Sequence, residues 1–126
     1  MTTGPVDFAR LQEIADNDFD FERELIQMFL DESEKRIAAI SSAKSSGDMK
    51  ALKAEAHALK GTGGNIGATG VHRIASDLQE AAEQGLPALL DDLVAKLKTE
   101  LFAVEEALKR RLKSLDEEGS AGGASA

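Results

Sequence analysis

The apolar residues Leu90, Leu93, Leu97, Leu101, Val104, Leu108, Leu112 and Leu115 recur at steps of three and four without a break. A strand buries every second residue, so a ladder of this period is satisfied only by a helix that turns one apolar stripe to a neighbour. The stretch predicts a helix of roughly 30 residues, about 45 Å long at 1.5 Å per residue. Such a helix draws its stability from packing more than from propensity, so it demands partners of comparable length.

The rest of the chain supplies them. Gly, Pro and Asp punctuate it into four further helical stretches, with no internal repeat and no alternating run, so no strand is expected. The first runs from Pro5 to about Ala15 with Val6, Phe8, Leu11 and Ile14 apolar, and ends in the turn-forming Asp16-Asn17-Asp18. It reads as a short helix packed as a lid. The second, about Asp20 to Ser45, repeats Phe21, Leu25, Met28, Phe29, Ile37 and Ile40, and Gly47 is placed to terminate it. Asp48 is a good N-cap for the third, whose Leu52, Ala56, Leu59, Gly63 and Ile66 form one seam. After a break at Gly67 to Gly70 the fourth carries Val71, Ile74, Ala75, Leu78 and Ala82, closing at Gly85, and Pro87 suits the first position of the fifth. The expected fold is all-α: an up-down-up-down antiparallel four-helix bundle with a short N-terminal helix, over residues 1–116. Residues 117–126, rich in Gly, Ser and Ala, are expected to be a disordered tail.

Composition narrows the function. The 126 residues make one domain, too little for a catalytic domain with a separate cofactor domain. The chain has no cysteine, which excludes disulfides, thiolate zinc sites and thiol catalysis. A formal charge of −8 has the wrong sign for neutralising nucleic-acid phosphates. No apolar run is long enough to span a bilayer, and the first residues have no signal-peptide pattern. A soluble, cytoplasmic protein, binding neither nucleic acid nor membrane, is expected.

Beside the seam of the third helix lies a stripe its packing does not need: Lys53, His57, Lys60, Gly61 and Gly64. His57 falls on the polar flank of the seam, exposed. Gly61 and Gly64 clear the surface beyond it, and Lys53 and Lys60 set a cation one turn to either side. Most exposed histidines are ordinary solvated residues, but glycine is costly here. Each disfavours a helix interior by about 0.8–1 kcal/mol against Ala, so Gly61, Gly63 and Gly64 together cost roughly 2–3 kcal/mol if the helix reaches Ile66. Close approach of a partner to His57 is a sufficient reason. Residues 47–69 carry a net charge of +1, against −5 before them and −4 after them. A cationic spot on an acidic body suits a phosphoryl group or an acidic pocket on a partner.

The run Ala56-His57-Ala58-Leu59-Lys60-Gly61-Thr62-Gly63-Gly64-Asn65-Ile66-Gly67 resembles the signature of the histidine-containing phosphotransfer domain, roughly A-H-x-L-K-G followed by small residues, an aliphatic residue and Gly. The resemblance extends to the bundle with its short leading helix. It implies that His57 accepts and donates the phosphoryl group, at Nε2, that Lys60 contacts that group, and that Gly61, with Gly64, gives a partner access. It also implies a glutamine on the next helix near the phosphohistidine, for which Gln79, beside Leu78, is the candidate; Lys53 would add electrostatic support.

Competing motifs fail. Gly61-Thr62-Gly63-Gly64-Asn65-Ile66 breaks the dinucleotide pattern at its last position and follows a helix rather than a strand. Asp16-Asn17-Asp18-Phe19-Asp20 begins like a calcium loop but has Phe21 where glycine is required and Gln27 where the terminal glutamate belongs. His57 and His72 lack metal-ligand spacing, and His72 reads as a surface residue near the start of the fourth helix, so neither metal nor cofactor is expected. The kinase-type pattern, with an acidic residue directly after the histidine, is absent because Ala58 follows.

A relay needs a nucleophile that is neutral near pH 7, which an imidazole in water is. It also needs a metal and a carboxylate acceptor, which the partner must bring. The expected function is phosphoryl exchange between His57 and the Asp of response-regulator receiver domains, with Mg²⁺ and Asp supplied by the partner and a hybrid histidine kinase as a further partner. The protein is expected to be a monomeric carrier with no ATP or metal site of its own. Two alternatives stand beside it: an accepting domain served directly by a kinase's ATP-binding domain, and a helical adaptor without phosphoryl chemistry.

Overall fold

The computed structural model describes residues 4–125, with side chains described through Glu117. Five helices follow in order: α1 (Phe8–Ile14), α2 (Phe19–Ser46), α3 (Met49–Asn65), α4 (Thr69–Gln84) and α5 (Pro87–Ser125). Among the described residues there is no strand. Each of α2 to α5 packs against its neighbour in sequence, and α5 returns to α2, closing an antiparallel ring of four. The disordered tail expected over 117–126 falls, but for Glu117, outside the residues whose side chains are described.

The helix ends follow local chemistry. Asp7, Asp18 and Asp48 cap α1, α2 and α3 by accepting backbone N–H groups of the first turn. Gly47 and Gly85 end α2 and α4 in the left-handed region, at φ 75° and 65°. Asp16 and Asn17 also adopt positive φ, so the acidic run between α1 and α2 is a turn, as expected, and its Asp18 caps α2. Pro87 opens α5.

The core is aliphatic. Leu52, Ala56, Leu59 and Gly63 of α3 and Val71, Ala75 and Leu78 of α4 are buried, as are Leu90, Leu93, Leu97, Leu101, Val104, Leu108 and Leu115 of α5. The register of α2 departs from the expected one. Its buried line is Glu22, Ile26, Phe29, Ser33, Ile40 and Ala43, while Phe21 and Met28 face solvent. The polarity of Glu22 conceals this line in the sequence. Arg111 of α5 satisfies its carboxylate, so a charged residue occupies a core position.

The short α1 closes one end of the bundle, with Val6, Leu11 and Ala15 buried. The Asp7 N–H donates to the Gly67 carbonyl at 2.8 Å, tying α1 to the α3–α4 turn. Gly67 has φ 81°, and a Cβ there would stand 2.7 Å from the Asp7 carbonyl oxygen, so only glycine fits.

Candidate functional site

Helix α3 runs unbroken through Gly61 and Gly63 to Gly64 and Asn65, so Gly61 bears the cost of an interior glycine while Gly63 and Gly64 fall in the last turn. Each has a different surrounding. A Cβ on Gly63 would meet Val71 Cγ1 at 3.0 Å, and one on Gly64 would meet His72 Nδ1 at 3.2 Å. These two let α4 approach α3. A Cβ on Gly61 would meet nothing within 4 Å, and Gly61 is exposed. The clearing expected across Gly61 and Gly64 is therefore open at Gly61 and occupied by His72 at Gly64.

His57 is exposed, and its side chain makes no hydrogen bond or ion pair among the described residues. Lys60, half-buried, also makes no side-chain ion pair among them. Side chains on a helix lean toward its N-terminus, so Lys60 leans back over the turn that holds His57 while Lys53 leans away. Lys53 reaches α4 instead, where its Nζ lies 3.2 Å from Glu83. Its charge is thus partly answered within the bundle.

Two contacts fix the antiparallel register of α3 against α4: Gly64 with His72, and Lys53 with Glu83. From one to the other both helices advance by the same number of residues, 64 to 53 and 72 to 83. Seven residues back from Gly64 lies His57, and seven residues on from His72 lies Gln79, so the two stand level along the bundle. His72, Gln79 and Glu83 also share one stripe of α4 at steps of seven and four. Because the outer members of that stripe both touch α3, Gln79 lies on the α3-facing side of α4.

Sequence reasoning passed over two features of this face. His72 is exposed, but its Nδ1 lies 2.9 Å from the Lys60 carbonyl oxygen, to which it donates. The only trace of this in the sequence is the pair Gly63-Gly64, which makes room for α4. On the α2 side a groove of about 210 Å³ is lined by Leu25, Met28, Phe29 and Glu32 with Thr62, Asn65 and Ile66. Its α3 wall begins one residue past Gly61. Its exposed wall, Met28, was assigned to the core by the misplaced register of α2.

Among the described residues no cluster of three or more His, Asp or Glu side chains is arranged to hold a metal ion, and no helix is long and apolar enough to cross a membrane.

Comparison with known proteins agrees with this fold. The family model for the Hpt domain matches residues 24–116. The structure is similar to histidine-containing phosphotransfer protein B of Pseudomonas aeruginosa PAO1, with a TM-score of 0.84 and 25% identity over 90% of this chain and 98% of that one. The fold is also that of the HPT domain of a sensor hybrid histidine kinase from Shewanella, with a TM-score of 0.77 and 21% identity over 87% of this chain and 95% of that one. No curated protein sequence matches the chain. Hpt proteins are phosphocarriers rather than classical enzymes. With the signature on α3, the bundle around it and a family match across most of its length, the chain belongs to the Hpt domain family and has that family's histidine phosphotransfer role in a two-component phosphorelay.

Proposed function

We propose that His57 carries the phosphoryl group and exchanges it with the active-site Asp of receiver domains. In the forward step the imidazole Nε2 lone pair attacks phosphorus of the partner's aspartyl phosphate. The N–P bond forms, the acyl phosphate P–O bond breaks, and the carboxylate leaves with its electron pair. Nε2 is the ring nitrogen farther from the helix backbone, so it reaches a partner first. The partner supplies Mg²⁺ and the Asp, while this chain supplies the nucleophile and its surroundings and acts as a carrier with no ATP or metal site of its own.

The observation that carries this reading is the exposure of His57 one turn from an open Gly61. Lys60 offers charge to the phosphoryl group in flight, and Gln79, level with His57, offers an amide to orient it. Gly61 leaves room for the receiver, and Gly64 serves that access indirectly by admitting His72. Lys53 contributes attraction at longer range. The groove along Leu25 and Met28, whose α3 wall starts at Thr62, gives the receiver an apolar seat on the α2 side of the site. Such a carrier is a cytoplasmic monomer between encounters, and a hybrid histidine kinase is a fitting donor.

Incubation with a receiver domain charged by acetyl phosphate and Mg²⁺ tests this. The label on this protein is expected to be acid-labile and alkali-stable, as a phosphoramidate is, and to be lost in His57→Gln. Label retained in His57→Gln overturns the assignment. A protein that takes no label from receivers but does so from a kinase's ATP-binding domain is instead an accepting domain of that kinase, and one that takes none from either is an adaptor.

A further inference from the structure

We propose that His72 is a positioning residue for transfer: its hydrogen bond from α4 to the Lys60 carbonyl holds the glycine-rich end of α3 in shape, and with it the aim of Lys60 toward His57. The proposal rests on Lys60 being the phosphoryl contact.

A carbonyl oxygen only accepts, so Nδ1 of His72 carries the proton, and it does so whether the ring is neutral or cationic. The bond at 2.9 Å reaches across a helix–helix interface twelve residues apart in sequence. The absence of a side chain on Gly64 leaves it room: a Cβ there would stand 3.2 Å from the same Nδ1 and crowd the ring.

The held segment needs holding. Three of the four residues after Lys60 are glycine, the weakest helix former short of proline, and they lead directly to the end of α3. Fraying from that end reaches Lys60 first and His57 one turn later. The ammonium of Lys60 has no ion pair among the described residues, so no partner charge holds it in place and the backbone sets the direction in which its side chain leaves the helix. His72 is itself well anchored. Its N–H donates to the Ala68 carbonyl at 3.0 Å, and the preceding Val71 is fully buried against Gly63. The clamp thus runs from a fixed point in the core to the one helix segment near the reacting histidine that is intrinsically soft.

The test uses the full chain with an acetyl-phosphate-charged receiver domain and Mg²⁺, measuring the single-turnover rate at saturating receiver, the half-saturating concentration, and backbone amide exchange over residues 61–64. His72→Ala is expected to lower the saturated rate by about two- to tenfold, the loss of one neutral hydrogen bond, with the half-saturating concentration unchanged and amide exchange at 61–64 accelerated. His72→Asn, whose side-chain amide N–H takes the place of Nδ1, restores both. In a Lys60→Ala background His72→Ala adds no further loss, because both act through one group. Unchanged amide exchange in His72→Ala overturns the proposal, as does a normal saturated rate in that variant when Lys60→Ala is slow. A normal rate in Lys60→Ala with loosened amides in His72→Ala overturns the positioning role too, and locates the failure in the reading of Lys60.

Discussion

Arg111 of α5 grips Glu22 of α2 with two hydrogen bonds, Nε to Oε2 at 2.6 Å and Nη2 to Oε1 at 3.0 Å, around a carboxylate that is 1% exposed. Phe19 stacks near the same guanidinium, its ring centre 5.9 Å from Cζ. Removing one partner strands a buried charge, so Arg111→Leu is expected to cost about 3–5 kcal/mol in urea unfolding. The double variant Arg111→Leu with Glu22→Leu is expected to recover most of that loss. A single variant as stable as the parent would mean that water reaches Glu22.

Burial and the neighbouring Glu34 carboxylate hold Glu105 above the ordinary carboxylate range. The folded state therefore binds a proton there more tightly than the unfolded chain does. Its contribution falls as pH rises from the unfolded to the folded value and stays unfavourable above it. Glu105→Gln is accordingly expected to raise Tm at pH 7 and to lose that advantage in acid, below the unfolded value. A Tm difference independent of pH would exclude this origin.

The motif glycines divide by surroundings. Gly61→Ala, in open space, should gain about 0.5–1 kcal/mol from helix propensity. Gly63→Ala should lower Tm despite the same propensity gain, since Val71 Cγ1 at 3.0 Å belongs to a fully buried side chain with little freedom to move. Gly61→Leu keeps the helix and obstructs the partner, so it is expected to slow phosphoryl transfer without lowering Tm. Unimpaired transfer in Gly61→Leu would show that this clearing faces no partner.

Lys60 and Lys53 flank His57 but act differently. Lys60→Ala removes a charge-assisted contact, nominally about 1.5–3 kcal/mol and at the low end or below for a group reached by water, so it should slow the bound-state transfer step. Lys53→Ala removes a cation already paired with Glu83 and should alter association in a salt-dependent way. Stopped-flow transfer at low and high salt distinguishes the two. Equal slowing of the bound step by both variants would refute the directional argument.

Met28 is 63% exposed on the rim of the groove beside α3. Met28→Lys is expected to leave the unfolding free energy within about 0.5 kcal/mol of the parent, as exposed substitutions do, while weakening receiver association. Urea unfolding of the variant and titration with the receiver domain check the two. Undiminished affinity would place the receiver elsewhere.

Helix period, caps and turns were legible in the sequence because they depend on neighbours along the chain. The ladder from Leu90 to Leu115, the caps Asp18 and Asp48 and the terminators Gly47 and Gly85 all stand where local pattern puts them. The exposed His57 was legible too, as the position flanking the seam of α3. What escaped depends on pairs distant in sequence. Glu22 reads as surface until Arg111 is brought to it, and that hid the true register of α2. His72 reads as solvated until Gly64 admits it to the Lys60 carbonyl. Gln79 was chosen by spacing alone, and its level along the bundle relative to His57 depends on how Gly64 and His72, and Lys53 and Glu83, set α3 against α4.

The inward residues of α3, Leu52, Ala56, Leu59 and Gly63, and the outward ones, His57, Lys60 and Gly61, are separate sets. Mutation can therefore rewrite what this helix says to other molecules while leaving intact what it says to the core. A lineage of such bundles can drift to new correspondents by a few changes around a retained His57, without passing through unstable intermediates. Gly64 is the exception, since a Cβ there would stand 3.2 Å from His72 Nδ1 and press on the ring. It is the one place on this face where changing allegiance would also mean changing shape.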